Sequence, residues 1–257
     1  MKRDIGPLVG LCMSAWLILL EPAFAGPPYI TDDPEPVDLG HWEVYGFSAG
    51  ANGHGDTTGL GPSLEVNYGA TPGLQLHFIG GFAYDDPGGH LRMGVSDTEL
   101  GAKLRFVDPS DDDWYPQIGI FPLVEAPTGD AKRGLGAGEW LEFLPLWLQK
   151  DWGDWTTYGG GGYWINPGPG NRDYWFFGWL LQRKITESLT LGGELFHQTS
   201  SMIGRSASSG FNLGGQYDFT EHDHLLFSAG RGGIANAVDA AAVGYPTTYY
   251  LAYQWTS

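Results

Sequence analysis

The sequence predicts an all-β protein: an antiparallel transmembrane β-barrel of about 12 strands with a short irregular N-terminal arm. Three observations predict this fold. Successive segments have one apolar and one polar face, the connections between them alternate in length, and aromatic residues gather near the segment ends. The composition agrees, because 41 glycines disfavour helix interiors while 11 Trp, 13 Tyr and 13 Phe favour strands and membrane interfaces.

Residues 1–25 have the three-part pattern of a cleaved secretory signal peptide. A basic start at Lys2 and Arg3 precedes the apolar run Leu8–Leu20, and small residues flank Phe24 at the cleavage site. The apolar run is shorter than the roughly 20 residues that a membrane-spanning helix needs. We therefore expect export to the outer membrane of a Gram-negative cell, with the mature chain beginning at Gly26.

The charge and the cysteine content exclude several function classes. The chain has a net charge of −17, and removing the predicted signal leaves this value unchanged. Because there is no basic patch to neutralise phosphates, we expect no nucleic-acid partner. The only cysteine, Cys12, lies inside the predicted signal, so the mature chain is expected to have neither a disulfide nor a thiol nucleophile. No cofactor or metal is predicted.

The segment Gly26–Gly40 is rich in proline and acidic residues and has no strand period. We expect residues 26–40 to form an irregular periplasmic arm or a partial plug folded into the lumen, with the barrel covering residues 41–257. A further alternative is a divalent cation bound through carboxylates of the arm, namely Asp32, Asp33, Glu35 and Asp38.

The segment Gly94–Val107 shows the strand period most clearly. From Asp97 onward, apolar and polar residues alternate, as they would on the two faces of a strand. Such a strand fits two structures: a soluble sheet whose apolar face packs on a core, or a membrane barrel whose apolar face contacts lipid and whose charged face lines the lumen. In a barrel, Leu100, Leu104 and Phe106 would face lipid, and Glu99, Lys103 and Arg105 would face the lumen.

The rest of the chain favours the barrel, because connection length alternates with strand number. The proposed strands are His41–Ala49, Pro62–Tyr68, Leu74–Phe82, Gly94–Val107, Tyr115–Glu125, Trp140–Lys150, Trp155–Ile165, Tyr174–Arg183, Leu189–Gln198, Phe211–Phe219, His224–Gly230 and Thr247–Trp255. Connections after even-numbered strands are short, and those after odd-numbered strands, such as Gly50–Gly61, are mostly longer. Tight periplasmic turns and longer external loops have this asymmetry. Two prolines, Pro122 and Pro145, fall inside proposed strands and predict bulges there.

Aromatic residues near the proposed strand ends predict interfacial girdles, although they could also be core aromatics of a soluble β-protein. They are Trp42, Tyr68, Trp114, Tyr115, Trp152, Trp155, Tyr174, Trp175, Tyr253 and Trp255. The segments Trp140–Trp147 and Tyr174–Leu181 are largely apolar on both faces. We therefore expect either a lumen packed with side chains or one that passes an apolar solute.

Several tracts resemble the meta-pathway phenol-degradation family of outer-membrane proteins. The tracts are Thr31–Tyr45, Ser96–Phe106, Leu123–Asp130 and Leu144–Gly168, and the resemblance spans nearly the whole mature chain. It implies a transporter-like barrel in the outer membrane and suggests passage of small, aromatic solutes. The family has no defined catalytic or binding motif whose residues could be transferred to this chain.

Polar residues on the predicted lumen face are the candidate site. They are Glu65, Gln75, His77, Glu99, Lys103, Arg105, Glu194 and Gln216. In a narrow barrel, opposite charges either pair and close the lumen or line a selective path. Both possibilities stay open, because buried ions must be paired in either case.

His197 suggests a different class of function, an outer-membrane lipid hydrolase. Some such enzymes place a His and a Ser on the outer face of a barrel strand, where the imidazole activates the hydroxyl. The run His197–Thr199 half matches the His-x-Ser-Asn pattern of lipid A deacylases, with Thr in place of Ser.

The glycine run Gly159–Gly162 lacks the Lys and Ser/Thr of a phosphate loop and predicts room for strand curvature and close strand packing.

We expect passive or facilitated movement of a small hydrophobic or aromatic solute, with no chemical step. The alternatives are the lipid hydrolase and a closed structural or surface-interaction barrel. The expected partners are outer-membrane lipid, the solute and the barrel-assembly machinery, and the oligomeric state is left open. Barrels of this type commonly end on an aromatic residue, whereas Thr256 and Ser257 follow Trp255 in this chain.

Overall fold

Antiparallel strands close into a single barrel in the computed structural model, which describes residues 27–53, 55–109, 114–232 and 246–257. The predicted signal peptide and Cys12 lie outside these residues. The strands are β1 Trp42–Gly53, β2 Asp56–Thr71, β3 Leu74–Pro87, β4 Arg92–Val95, β5 Thr98–Val107, β6 Gln117–Ile120, β7 Leu123–Ala126, β8 Leu141–Trp152, β9 Trp155–Ile165, β10 Tyr174–Thr186, β11 Leu189–Gln198, β12 Ser208–Asp218, β13 Asp223–Arg231 and β14 Thr247–Thr256.

Closure depends on the pairing of the first strand with the last. β1 pairs with β14 from Glu43↔Thr256 to Asn52↔Thr247, and outside β4–β7 each strand pairs with the strands before and after it in the sequence. β4 and β5 together make one passage through the wall, and so do β6 and β7, since β3 pairs with both β4 and β5 and β8 with both β6 and β7. The result is a closed antiparallel barrel of 12 strand passages, which confirms the predicted fold class.

Two passages that the sequence predicts as continuous strands are interrupted. The strand predicted over Gly94–Val107 is divided at Ser96 and Asp97, and the one over Tyr115–Glu125 is divided at Phe121 and Pro122. At the second break Pro122 has no N–H to donate, but its carbonyl accepts from the N–H of Ala102 at 3.2 Å. Pro145 lies within β8 without ending it.

The prediction that Gly50–Gly61 forms the first external loop is wrong. β1 continues to Gly53 and β2 begins at Asp56, with Ala51 in register with Thr58. The alternation of apolar and polar residues fades in this glycine-rich and threonine-rich stretch, but backbone pairing does not require it. The connections over residues 127–140, 166–173 and 199–207 are long, as predicted, and the loop after β13 lies largely outside the described residues.

The two faces of the wall follow the predicted alternation. On β5, Leu100 and Phe106 are 48% and 56% exposed on the outer face, whereas Lys103 on the inner face is 3% exposed. The aromatic residues Trp42, Trp152 and Trp255 are exposed on the outside. The prediction that Tyr174 belongs to an interfacial girdle is wrong, because its side chain faces the interior and is 3% exposed. No helix in the described ranges has the length and apolar character to cross a membrane.

Replacing Leu213 with Arg tests the lipid-facing exterior. Leu213 lies in the middle of β12 and is exposed, so in lipid the charge should cost roughly 2–4 kcal/mol of unfolding free energy near the midplane. The matched control is Ile203→Arg, an exposed apolar residue in the connection between β11 and β12, which should cost little. Urea titrations of refolding into lipid vesicles measure both, and equal, small effects would contradict a lipid-facing β12.

Candidate functional site: the barrel lumen

The segment of residues 27–40, called the arm below, makes contacts with inward-facing side chains around the barrel. The carbonyl of Pro28 accepts from Ser228 Oγ of β13 at 2.6 Å. Near the other end of the arm, the N–H of Val37 donates to Gln75 Oε1 of β3 at 2.9 Å. These strands lie on different parts of the wall, so the arm crosses the interior.

Glu194 of β11 holds the first part of the arm. Its carboxylate accepts from the backbone N–H groups of Ile30 and Thr31 at 3.0 and 2.8 Å, and from Asn212 Nδ2 at 2.6 Å. A carboxylate that is 1% exposed requires such donors, because an ion without partners is costly away from water. Gly178 of β10 permits close approach, since a Cβ there would collide with Thr31 Oγ1.

Two cations of β5 hold the acidic part of the arm. Lys103 Nζ lies 2.9 Å from Asp32 Oδ1 and 3.3 Å from Asp33 Oδ1, and Arg105 Nη1 lies 3.6 Å from Glu35 Oε1. These carboxylates therefore face protein cations rather than one another. Within the described ranges, no group of three or more His, Cys, Asp or Glu side chains is placed to hold a metal ion, which removes the support for a cation site in the arm.

A second polar cluster lies on neighbouring strands and surrounds His77. Its Nδ1 is 2.7 Å from Asn67 Oδ1 and its Nε2 is 2.9 Å from Glu99 Oε1, while Asn67 Nδ2 donates to Glu65 at 3.0 Å. Glu65, His77 and Glu99 are thus brought together. Gln75, Lys103, Arg105 and Glu194 contact the arm instead, and Gln216 stands apart, donating to Asp218 at 2.7 Å.

One sector of the inner wall is aromatic. The buried side chains there are Phe121, Leu141, Phe143, Trp147, Trp164, Tyr174, Phe176 and Phe196. Phe143 stacks on Trp164 with ring centroids 4.7 Å apart, and Trp164 stacks on Tyr174 at 6.0 Å. The strand register sets this arrangement, since Phe143 of β8, Trp164 of β9 and Tyr174 of β10 are direct cross-strand partners.

The glycine run of β9 provides space for these rings. A Cβ on Gly162 would lie 2.6 Å from Phe143 Cε2, and one on Gly160 would lie 3.1 Å from Trp147 Cε3. On the outer face, a Cβ on Gly159 would collide with the ring of Trp179, and a Cβ on Gly161 would collide with the ring of Phe177. The run allows close packing, as predicted, and large rings on both faces of the wall lie against it.

A cavity lies between part of the arm and the aromatic sector, against which Ile30 of the arm also packs. Its volume is about 110 Å³, of the same order as the roughly 150 Å³ apolar cavity that admits benzene, so it has room for a small ring compound. Its lining residues are Ile30, Asp32, Phe121, Leu123, Phe143, Trp147, Trp164, Tyr174, Phe176 and Gln198. Only Asp32 and Gln198 in this set have a carboxylate or amide side chain, so the cavity is mainly apolar.

His197 faces outward, and its hydroxyl partner differs from the one that the sequence suggested. Its Nδ1 is 2.8 Å from Ser209 Oγ on β12. Thr199 instead accepts from the N–H of Trp175, and Ser200 donates to the carbonyl of Met202. No hydrogen bond from His197 to a carboxylate occurs among the residues that the structure describes.

Sequence reasoning found the polar wall but missed several of its members. Asn67, Gln149 and Asn212 are buried and contact Glu65, Glu35 and Glu194 respectively. Strand alternation places each of them on the inner face. The aromatic sector had a signal too, because its segments are apolar on both faces, but nothing local indicates which rings of different strands would meet.

The fold and the lumen define the class of structure: a closed antiparallel barrel of the outer-membrane type. Solved structures with this fold include an outer-membrane channel from Pseudomonas putida F1, with 18% identity and a TM-score of 0.66 over 88% of this chain and 98% of that one. The KdgM porin has 11% identity and a TM-score of 0.56, and the NanC porin 8% and 0.57, each covering 83% of this chain and 98% of its own.

At these identities the likeness shows the fold alone. No protein-family model matches the sequence, and no curated protein matches it. The chain is therefore assigned to the structural class of outer-membrane barrels, and its resemblance to the meta-pathway phenol-degradation family stays a prediction.

The docking of the arm should depend on pH through Glu35. Burial raises the pKa of this carboxyl from 4.5 to about 7, although Arg105 opposes the rise and Asp151 adds to it. The docked arm therefore favours the protonated form. This contribution to docking is complete below about pH 4.5 and is lost as the pH rises through about 7.

A nitroxide spin label at Asp38→Cys measures this effect. The label should be more mobile at pH 8 than at pH 5, and Glu35→Gln should remove most of the difference because an amide side chain cannot ionise as the pH rises. An unchanged pH response in the Gln variant would show that another group controls docking.

Proposed function

We propose that this chain is an outer-membrane channel for small hydrophobic or aromatic solutes, with the arm as a partial plug. The observation that carries the proposal is the aromatic sector on the inner wall. Lipid-facing aromatics are ordinary in barrels, but a buried cluster of rings beside a cavity in the lumen favours an apolar solute over a hydrated ion. Export through a cleaved signal peptide is part of the proposal.

The interior supports two distinct roles for its two parts. The polar part of the wall binds the arm through Gln75, Lys103, Arg105 and Glu194, whereas the aromatic part lies across the cavity from it. A solute would pass between the arm and the rings. The named lumen residues therefore determine the path by holding the arm, and the aromatic side chains provide the surface that the solute contacts.

The arm is suited to move because its contacts are polar and separate. Each hydrogen bond to a charged group contributes about 1.5–3 kcal/mol net, and the carboxylates and cations on both sides can be rehydrated when the arm withdraws. Ile30 and Tyr29 add apolar contacts, the latter with Tyr158 and Leu180. We propose that a solute larger than the cavity passes when the arm shifts.

A disulfide between arm and wall tests the plug. A Cβ built on Gly178 lies 3.0 Å from Thr31 Cβ, so a shift of about 0.5 Å brings the pair into the range of a disulfide, and the predicted mature chain has no native cysteine. The Thr31→Cys, Gly178→Cys variant should lose uptake of an aromatic solute when oxidised and regain it when reduced.

The single variant Thr31→Cys is the control and should keep its uptake under both conditions. Conductance of the reduced protein in planar bilayers adds a second readout, although a purely apolar route would be electrically silent. Undiminished uptake by the oxidised variant would show that the arm need not move. Absence of protein-dependent uptake in the wild type would favour a closed structural barrel.

The contact between His197 and Ser209 keeps a lipid hydrolase as a second candidate. In that mechanism Ser209 would attack an ester carbonyl while His197 accepts its proton and passes it to the alcohol that leaves as the ester C–O bond breaks. Water would then hydrolyse the acyl-serine ester, which releases the fatty acid and restores Ser209. The imidazole has no carboxylate partner among the described side chains, which weakens this candidate. Transport through the lumen makes no use of His197.

Replacing His197 with Ala separates the two candidates. We expect an unchanged outer-membrane lipid profile by mass spectrometry and unchanged solute uptake, because His197 is on the outer face. Ser209→Ala is the matched variant. Loss of the same deacylated lipid species in both variants would instead establish the hydrolase.

A further inference from the structure

Trp147 has an unusual environment for a buried tryptophan. Its side chain is 1% exposed in the aromatic sector, yet its indole Nε1 has no hydrogen-bond partner among the residues that the structure describes. Buried indole N–H groups usually find an acceptor, because leaving one unpaired costs about 1–3 kcal/mol. Neighbouring side chains shield Nε1 from water, and Trp147 also lines a cavity of the lumen. Its unpaired donor therefore points to an acceptor on a molecule that enters this cavity and displaces a neighbouring side chain.

The neighbours of Trp147 constrain where its N–H points. The Cε3 edge of the indole lies against β9, since a Cβ on Gly160 would be 3.1 Å from it. Nε1 is on the opposite edge of the ring system, so the donor lies on the side of the indole away from Gly160. Trp147 itself lines the cavity between the arm and the wall.

The cavity offers aromatic surface but few acceptors. Phe143 and Trp164 stack at 4.7 Å, and the ring of Phe176 lies 6.5 Å from that of Trp147. Asp32 already accepts from Lys103 Nζ at 2.9 Å and from the N–H of Asp33 at 2.7 Å. A planar ring could pack among these side chains, and an acceptor on that ring could reach the indole.

We infer that this cavity selects an aromatic solute carrying a neutral hydrogen-bond acceptor, such as an aromatic ketone or ether, whose oxygen accepts from Trp147 Nε1. The inference rests on the proposed function and adds its specificity-determining residue. A hydrocarbon of the same shape would fill the cavity but leave the donor unpaired. An aromatic carboxylate is disfavoured, because Asp32 is nearby and Lys103 is already paired with two carboxylates.

An isosteric pair of fluorinated probes tests the inference. In 4-fluoroacetophenone a carbonyl oxygen stands where 4-fluoro-α-methylstyrene has a CH₂ group. Titrations followed by ¹⁹F NMR on the purified full chain in micelles, with protein-free micelles as blank, give both dissociation constants. The wild type should bind the ketone about three- to tenfold more tightly, the range expected for one hydrogen bond.

Trp147→Phe should reduce that preference to about onefold, because it keeps a ring and removes the donor. The matched control Trp164→Phe replaces another indole of the same cavity with a phenyl ring and should keep the preference for the ketone. A heat-dependent shift in gel mobility verifies folding of each variant. In the wild type, one indole N–H proton signal should also move on adding the ketone and stay in place on adding the hydrocarbon, which tests the contact without any variant.

The outcomes separate the inference from the proposed function. Equal binding of both probes by the wild type, or a preference that survives Trp147→Phe, overturns the inference and leaves an unselective apolar channel. Loss of the preference in Trp164→Phe alone also overturns it, because the donor would then be another indole. Binding of neither probe above the micelle blank overturns both.

Discussion

The requirement that every backbone N–H and C=O be paired inside a bilayer governs this structure. Lipid offers no hydrogen bonds, so a sheet can cross it only if it has no free edge. The pairing of β1 with β14 removes that edge, and it joins residues about two hundred positions apart in the chain. Closure also divides the side chains into an outer and an inner set, because neighbours along a strand point to opposite faces.

The charged and polar side chains of the inner set must then find partners within a narrow space. In the polar part, buried carboxylates and cations belong to different segments, and the arm supplies the groups that the wall lacks. Lys103 illustrates this, because its side chain is buried on the wall and the carboxylates that pair with its ammonium group belong to Asp32 and Asp33 of the arm. Removal of one member would leave an uncompensated buried charge, which costs far more than the pair contributes.

The aromatic part of the interior is satisfied by packing. Rings from β8, β9 and β10 meet because the strand register aligns them, and the glycines of β9 give them depth. The space that remains lies against the arm. One sector of the lumen thus resembles a protein core with a cavity beside it, and the other resembles an ion-pair network. The proposed path for an apolar solute rests on this division.

Much of the barrel was determined by the sequence alone. The period of two on β5 determined which face Leu100 and Lys103 take, because a strand permits only two directions for a side chain. Strand number followed from the same pattern together with the turn residues. The pattern failed where pairing continues without alternation, as between Gly50 and Gly61, and where a proline interrupts a passage, as at Pro122.

Only the tertiary structure decided what the inner residues contact. The meeting of Glu194 with Ile30 and Thr31, of Lys103 with Asp32, and of Trp147 with the cavity depends on barrel closure and on the path of the arm. Neither is encoded by local periodicity, since the arm has no period and the contacts join distant parts of the chain. The sequence therefore determined the wall and the direction of its side chains, and the closed barrel determined their partners.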